Sequence, residues 1–229
     1  MSGLMDSVLL KTVPLFSGLA DRDLNRIVDL MVTKRYRKHN LIFFEDDLGQ
    51  NLFIIKRGRV KISRIDESGG EVIFAILGEG EFFGELSIID GQTRSATVTS
   101  LEDVELLVLR RGDFLDLLTQ YPQISIALLR ELASRIRKSD TQIKSLSLKD
   151  ARGRVATTLI RLAEDIGIMQ EGKVIIKKLP LQKDLANIAG TSRETISRVF
   201  KKLEKEGFFT KKNNTLVFKD FNNFKGSFD

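Results

Sequence analysis

The chain changes its hydrophobic period near Pro122, and this change limits the folds that it can adopt. From about Lys34 to Leu109, short apolar runs alternate with glycine-containing turns. Several short strands at this spacing are typical of an antiparallel barrel or sandwich rather than a parallel sheet. From Pro122 to Lys149 the apolar residues instead recur in steps of three and four, which predicts one long helix.

The predicted long helix carries a narrow apolar stripe at heptad spacing. The stripe consists of Leu129, Leu132, Ile136, Ser139, Ile143 and Leu146. A helix with so narrow a stripe usually packs against a second copy of itself, so we expect a homodimer; packing on its own domain is the alternative. Ser139 is the polar residue of the stripe, and it is either a register device or a ligand contact.

Residues 150–229 form a third segment of helices, short strands and tight turns. The predicted elements are a helix closed by Gly167, a strand over 173–179, a helix over 180–189, a helix over 192–206 and a hairpin over 208–218. Gly190 separates the last two helices, and Thr191 to Glu194 match a capping box. Helix, glycine turn, helix and hairpin together predict a winged helix-turn-helix.

Charge and composition narrow the function classes. Residues 151–229 carry 16 Lys+Arg against 9 Asp+Glu, whereas residues 1–150 carry 21 against 22. This asymmetry indicates an anionic partner for the last third, with nucleic acid as the first candidate and an inert basic surface as the alternative. Zero cysteines and one histidine, His39, exclude thiolate metal sites and argue against haem.

The helix predicted over 192–206 has two distinct faces. Its apolar face consists of Ile196, Val199, Phe200 and Leu203, and its polar face consists of Arg193, Glu194, Ser197, Arg198 and Lys201. Arginine can bond both acceptors on a guanine edge and glutamate can accept from cytosine, so the polar face suits a DNA major groove. An ordinary solvated face is the alternative, which the glycine turn, the hairpin and the basic excess disfavour.

A second group of polar residues lies between Gly80 and Ala96. Its glycine spacing is one residue too long for a dinucleotide fingerprint, and no strand–helix context follows. A loop with free backbone N–H groups can instead cradle a phosphate, while Arg94 neutralises its charge and Glu85 accepts from a ribose hydroxyl. An ion pair between Arg94 and Glu85 is the alternative.

Both groups resemble motifs of one family. The stretch from Gly80 to Ala96 resembles the phosphate-binding cassette of the cyclic-nucleotide-binding fold. Thr191 to Arg198 resembles the recognition helix of the transcription factors that include the cyclic AMP receptor protein and the fumarate–nitrate reduction regulator. The resemblance covers nearly the whole chain. It implies an α+β fold with a jelly-roll-like cyclic-nucleotide-binding β-roll over 1–121, a dimerisation helix over 122–149 and a DNA-binding winged helix-turn-helix over 150–229.

The resemblance also implies a ligand site. Its residues are Gly84, Glu85 and Leu86 for the ribose and phosphate, Arg94 and Ser95 for the cyclic phosphate, and Ser139 and Asp140 for the base. Asp140 departs from the hydroxyl residue of the cyclic AMP receptor protein. A carboxylate accepts from the adenine amino group but matches the adjacent N–H donors of guanine better. The resemblance implies cyclic AMP as the effector, Asp140 leaves cyclic GMP as the alternative, and we expect no metal or haem.

On the DNA side, the resemblance implies three base readers and several backbone contacts. The readers are Arg193, Glu194 and Arg198; the backbone contacts are Ser192, Thr195 and, more weakly, Gln182. Lys201, on the same polar face, is a further expected phosphate contact. A two-fold dimer presents two identical helices and so prefers double-stranded DNA with a palindromic site. The resemblance implies a half-site similar to TGTGA, with RNA polymerase as a further candidate partner.

We therefore expect a cytoplasmic, homodimeric transcription regulator that a cyclic nucleotide controls allosterically. No apolar run approaches the ~18 residues that span a bilayer, and the N-terminus lacks the pattern of a secretory signal. A ligand-independent DNA-binding regulator with a scaffold-only roll is the first alternative. A nucleotide-processing enzyme is the second, but no HExxH, Walker A or GxSxG motif occurs, so we predict no catalytic residue.

Overall fold

The computed structural model describes residues 2–228 and separates into two compact units that divide after Arg137. The helices are α1 (Ser2–Thr12), α2 (Asp21–Asp29), α3 (Leu86–Asp90), α4 (Arg111–Gln120), α5 (Pro122–Leu148), α6 (Ala151–Ile166), α7 (Gln182–Ala189), α8 (Arg193–Lys205) and α9 (Phe221–Gly226). The strands are β1 (Val32–Tyr36), β2 (Leu41–Phe43), β3 (Asn51–Arg57), β4 (Val60–Ile65), β5 (Glu71–Leu77), β6 (Phe82–Phe83), β7 (Thr97–Ser100), β8 (Val104–Arg110), β9 (Ile168–Gln170), β10 (Lys173–Ile176), β11 (Phe209–Lys212) and β12 (Thr215–Phe218).

The first unit is a β-roll of two four-stranded antiparallel sheets. One sheet has the order β1-β8-β3-β6 and the other β2-β7-β4-β5. Successive side chains of a strand point to opposite faces, and on β8 both faces are covered. Leu106 and Val108 belong to the cluster between the sheets, whereas Leu107 and Leu109 pack against the helices outside the roll. The run from Leu106 to Leu109 of β8 is therefore apolar on both faces.

Helix α5 begins at Pro122, where the missing N–H of proline costs no helical hydrogen bond. Its first turns anchor it to the first unit, because Ile124 and Leu128 are buried in the cluster outside the roll. Further along, Leu129 is 67% exposed, and Ile136 and Ile143 are each 61% exposed. These three residues repeat every seven positions, so a single chain leaves a regular apolar stripe in contact with solvent.

The second unit builds its core on α6, α7, α8 and a four-stranded sheet of order β11-β12-β10-β9. The turn between α7 and α8 is made by Gly190, whose φ of 58° lies in the left-handed region that glycine adopts readily. The hairpin β11–β12 turns at Asn213 and Asn214, which confirms the predicted wing. Among the described residues, no helix is long and apolar enough to cross a membrane.

Several element ends differ from those predicted. The strand β10 ends at Ile176 because Lys178 has a φ of 56°, which turns the chain out of the sheet. Helix α7 begins at Gln182 rather than Pro180, since the backbone of Leu181 has a ψ of 151° and is not helical. The capping box is also wrong by one residue: the cap of α8 is Ser192, whose Oγ accepts from the backbone N–H of Thr195 at 3.2 Å.

Candidate ligand pocket and DNA-reading surface

Five of the seven residues predicted to bind ligand line one cavity of about 100 Å³ in the first unit. They are Gly84, Glu85, Leu86, Arg94 and Ser95. One wall of the cavity is apolar and consists of Phe43, Ile62, Phe83 and Val98. The other two predicted residues, Ser139 and Asp140, lie on the part of α5 that belongs to the second unit, and both are exposed. The cavity thus joins a charged end to an apolar wall.

Arg94 provides the positive charge of the cavity, and it is only 4% exposed. Its Nη1 donates to the carbonyl oxygen of Gly84 at 2.7 Å and to the Oγ of Ser87 at 2.9 Å, and its Nη2 donates to the carbonyl oxygen of Asn51 at 2.8 Å. The guanidinium lies 4.3 Å from the ring centre of Phe43. Within the described chain, its buried Nε has no hydrogen-bond partner. Arginine has five N–H donors, so the Nε and a second donor remain available to an anion.

Burial lowers the pKa of Arg94, because desolvation disfavours the charged form, while the carboxylates of Glu85 and Asp47 act in the opposite direction. Arginine starts from so high a pKa that it stays protonated at neutral pH. A buried cation whose nearest partners are carbonyl and hydroxyl oxygens favours a negatively charged ligand.

Glycine is required at position 84 by both conformation and space. Gly84 has a φ of +83°, which L side chains rarely adopt. A Cβ atom there would lie 2.7 Å from the Nη1 of Arg94 and 3.1 Å from the carbonyl oxygen of Asn51. The backbone therefore approaches the guanidinium as closely as it does because residue 84 has no side chain.

Glu85 directly precedes the short helix α3 and is 3% exposed. Its Oε1 accepts from the Nη1 of Arg135 at 2.8 Å, and the Nη2 of Arg135 donates to the carbonyl oxygen of Phe82 at 2.7 Å. The ion pair that the sequence left open, between Glu85 and Arg94, is thus replaced by one with Arg135. Sequence reasoning did not select Arg135, which also lines the cavity.

The second predicted site lies on α8. A concave surface of about 600 Å³ is lined by Gln182, Arg193, Glu194, Ser197, Arg198 and Lys201. Five of these six residues were predicted to contact DNA, and Ser197 is the addition. The opposite face of α8 is buried through Ile196, Val199, Phe200 and Leu203, so the 3.6-residue period assigned both faces correctly.

Polar contacts between neighbouring side chains hold the start of α8. Ser192 caps the helix, and the Nη2 of Arg198 donates to the Oγ1 of Thr195 at 3.3 Å. A hydrogen bond from the side chain of Ser192 holds the pKa of Glu194 below its ordinary value, and the charge of Arg193 acts in the same direction. Glu194 is therefore an ionised acceptor at neutral pH, beside two exposed arginines that can donate to base edges.

A β-roll with a buried guanidinium and a cationic helix-turn-helix on the same chain define a class of protein, the DNA-binding transcription regulators. Residues 33–121 match the cyclic nucleotide-binding domain, and residues 153–225 match the Crp-like helix-turn-helix domain. The cyclic AMP receptor protein of Thermus thermophilus is 38% identical over 198 residues, which cover 86% of this chain and 88% of that protein. The chain belongs to the family of the cyclic AMP receptor protein and the fumarate–nitrate reduction regulator.

Two further relatives support this assignment. The cAMP-activated global transcriptional regulator Vfr of Pseudomonas aeruginosa is 33% identical over 188 residues, which cover 80% of this chain and 87% of Vfr. The solved structure of the catabolite activator protein of Thermus thermophilus is 35% identical, with a TM-score of 0.54 over 93% of this chain and 96% of that one. The predicted fold class is confirmed, and the relatives are transcription regulators rather than enzymes.

Proposed function

We propose that the chain is a cyclic-nucleotide-responsive regulator that binds palindromic DNA as a homodimer. The observation that carries the proposal is the cavity that gathers Gly84, Glu85, Leu86, Arg94 and Ser95 around one buried guanidinium. We also propose that the protein is cytoplasmic and that RNA polymerase is a further candidate partner.

In this proposal the cyclic phosphate accepts from the remaining donors of Arg94 and from Ser95, and a ribose hydroxyl donates to Glu85. The apolar wall around Phe43 and Val98 is suited to the sugar and the base. Cavities that enclose small ligands usually measure about 300–1,000 Å³, whereas this one measures about 100 Å³. The cavity therefore has to widen when a ligand enters. The ligand can replace Arg135 as the hydrogen-bond partner of Glu85.

The base is proposed to contact Ser139 and Asp140 on α5. Cyclic AMP is the effector expected from the family resemblance, and a carboxylate at 140 can accept from the adenine amino group. Cyclic GMP is the alternative, because guanine presents adjacent N–H donors that a carboxylate matches better. The relatives from Thermus thermophilus and Pseudomonas aeruginosa are both named for cyclic AMP, which supports cyclic AMP as the effector.

Dimerisation is proposed to occur through the exposed stripe of α5, represented by Leu129, Ile136 and Ile143. A two-fold axis along α5 presents two copies of α8 to half-sites about one helical turn, ~34 Å, apart. Arg193, Glu194 and Arg198 then read bases, and Ser192, Thr195, Gln182 and Lys201 contact the backbone.

One observation favours a second candidate, a ligand-independent regulator with a scaffold-only roll. Arg94 makes three hydrogen bonds within its own unit, so the roll itself uses most of the donors of this guanidinium.

Calorimetric titration with cyclic AMP and with cyclic GMP separates the two candidates. We expect saturable binding to the unmodified chain and its loss in Arg94→Leu, while Arg37→Leu, an exposed arginine of the same unit, binds normally. Asp140→Ser should favour cyclic AMP over cyclic GMP relative to the unmodified chain. Absence of binding by either nucleotide would leave the scaffold-only roll as the correct account.

A further inference from the structure

A cavity of about 400 Å³ lies within the second unit, between the C-terminal half of α5 and helix α6. Its lining contains six cationic side chains and one carboxylate, Glu164. The cations are Lys138, Lys144, Lys149, Arg154, Arg161 and Lys225. They are spread over nearly ninety positions of the sequence, and only the fold brings them together.

Ion pairs neutralise two of the six cations. Lys138 lies 2.7 Å from a carboxylate oxygen of Asp165, and Lys225 lies 2.6 Å from one of Glu164. Within the described chain, the other four make no ion pair. Lys149 donates to the hydroxyl of Thr157 and to the carbonyl oxygen of Phe228. The cavity between α5 and α6, called the α5–α6 cleft below, is therefore lined by about four positive charges without an ion-pair partner in the described chain.

Arg154 and Arg161 differ in what holds them. Arg154 donates to the carbonyl oxygens of Ala189 and Gly190, so it supports the turn that precedes α8. Arg161 is partly buried, and within the described chain its hydrogen-bond partner is the neutral amide oxygen of Gln142. A partly buried charge is costly unless an opposite charge compensates it.

Burial lowers the pKa of Arg161, since desolvation disfavours its charged form; the nearby carboxylate of Asp165 acts in the opposite direction but is bonded to Lys138. An anion placed against Arg161 would supply the compensation that Gln142 cannot. The same anion would lie within a lining that also holds Lys144 and Lys149.

The rest of the lining matches a ligand larger than a bare phosphate. Hydroxyls are contributed by Thr141, Ser145 and Thr157, and Ser145 is buried. Leu146, Ile160 and Ile188 add apolar surface. The volume falls within the range of about 300–1,000 Å³ that small-molecule sites occupy.

We propose that this α5–α6 cleft binds a phosphate-bearing small molecule of about nucleotide size. None of its lining residues belongs to the Arg94 cavity or to the concave surface on α8, so it is a separate site. Because Arg154 also holds the turn before α8, a ligand in the cleft would lie against a residue that positions α8. An effect of this ligand on DNA binding depends on the proposed function, whereas binding of the ligand does not.

Calorimetry of the full chain with pyrophosphate and with ATP tests the proposal. The background is Arg94→Leu, in which the other phosphate site is removed. We expect saturable binding of at least one probe, and a loss of about tenfold in affinity in Arg161→Gln, since a charge-assisted hydrogen bond is removed. Lys144→Gln, at an exposed position, should weaken binding about threefold and tests the cleft even where Arg161→Gln fails to fold. Lys173→Gln, an exposed lysine of the same unit outside the cleft, should bind as the background does.

Four results would overturn the proposal. The first is that neither probe saturates, and the second is that Lys173→Gln weakens binding as much as Lys144→Gln does. The third is that Arg193→Gln abolishes binding while the cleft variants retain it, which places the probe on the DNA-reading surface. The fourth is that the cleft variants weaken binding of a DNA duplex and leave both probes unaffected, which makes DNA phosphate the occupant.

Discussion

The Nη1 of Arg135 lies 2.8 Å from the Oε1 of Glu85, and this pair joins α5 to the start of α3. Glu85 is 3% exposed, so its carboxylate depends on protein partners rather than on water. Arg135 precedes Ser139 by one helical turn on α5. The pair thus connects the proposed ribose acceptor with the helix that carries the proposed base contacts and the dimer stripe.

Replacing Arg135 with Met should destabilise the first unit by about 1–3 kcal/mol, because a buried carboxylate loses its charged donor. Urea unfolding at neutral pH measures the change. Arg130→Met, which removes an exposed arginine from the same helix, should leave the free energy of unfolding nearly unchanged. Equal stabilities of the two variants would show that the Glu85 contact contributes little.

Gly84→Ala and Gly91→Ala form a matched pair of substitutions. Both glycines have a positive φ, but a Cβ at 84 would collide with Arg94, whereas a Cβ at 91 meets open space. We expect both to lose about 1 kcal/mol or more of stability from backbone strain, and only Gly84→Ala to lose nucleotide binding. Thermal unfolding and calorimetry together distinguish the two effects. Normal nucleotide affinity in Gly84→Ala would contradict the close approach of backbone and guanidinium.

The site could be predicted from the sequence where its residues are close along the chain. Gly84, Glu85 and Arg94 lie within one short segment, and glycine spacing next to an arginine is itself a signal. Arg135 was missed because it lies 50 residues from Glu85, and its role depends on how α5 packs. The α5–α6 cleft was missed for the same reason, since its cations are dispersed along the sequence.

The elements of the fold could be predicted from hydrophobic periodicity, whereas the residues at which they end could not. The two faces of α8 and the wing were predicted correctly because their apolar spacing is regular. The cap of α8 was not, because Thr191 and Ser192 are both good caps and a one-residue choice depends on backbone geometry. The end of β10 depends on the positive φ of Lys178, a residue with no sequence signal for it.

The stripe on α5 predicts the oligomeric state. Changing Ile136 and Ile143 together to Lys should yield monomers in sedimentation velocity, because like charges would face each other across the seam. Ile126→Lys makes the same change at an exposed residue of the same helix outside the stripe, and it should remain dimeric. A doubly substituted chain that still dimerises at micromolar concentration would place the interface elsewhere.

The residues of α8 should separate into those that read bases and those that bind the backbone. Arg193→Ala should cost about 1–3 kcal/mol per half-site and relax the preference at one base pair. Lys201→Ala should weaken all duplexes alike and reduce the salt dependence of binding. Selection from random duplexes, followed by salt titrations on the selected site, measures both. Recovery of sites without a palindrome or without G·C pairs would contradict the assignment of Arg193, Glu194 and Arg198.

The most direct test of the account is the affinity of the chain for its selected palindrome, measured by fluorescence anisotropy with and without saturating cyclic nucleotide. Coupling between two sites is typically about 1–3 kcal/mol, so we expect the nucleotide to tighten DNA binding about 5- to 150-fold. The same nucleotide should have no effect on Arg94→Leu, which retains the weaker affinity of the unliganded chain. Equal DNA affinity in both conditions, for an unmodified chain shown by calorimetry to be saturated with nucleotide, would contradict control of DNA binding through the Arg94 cavity.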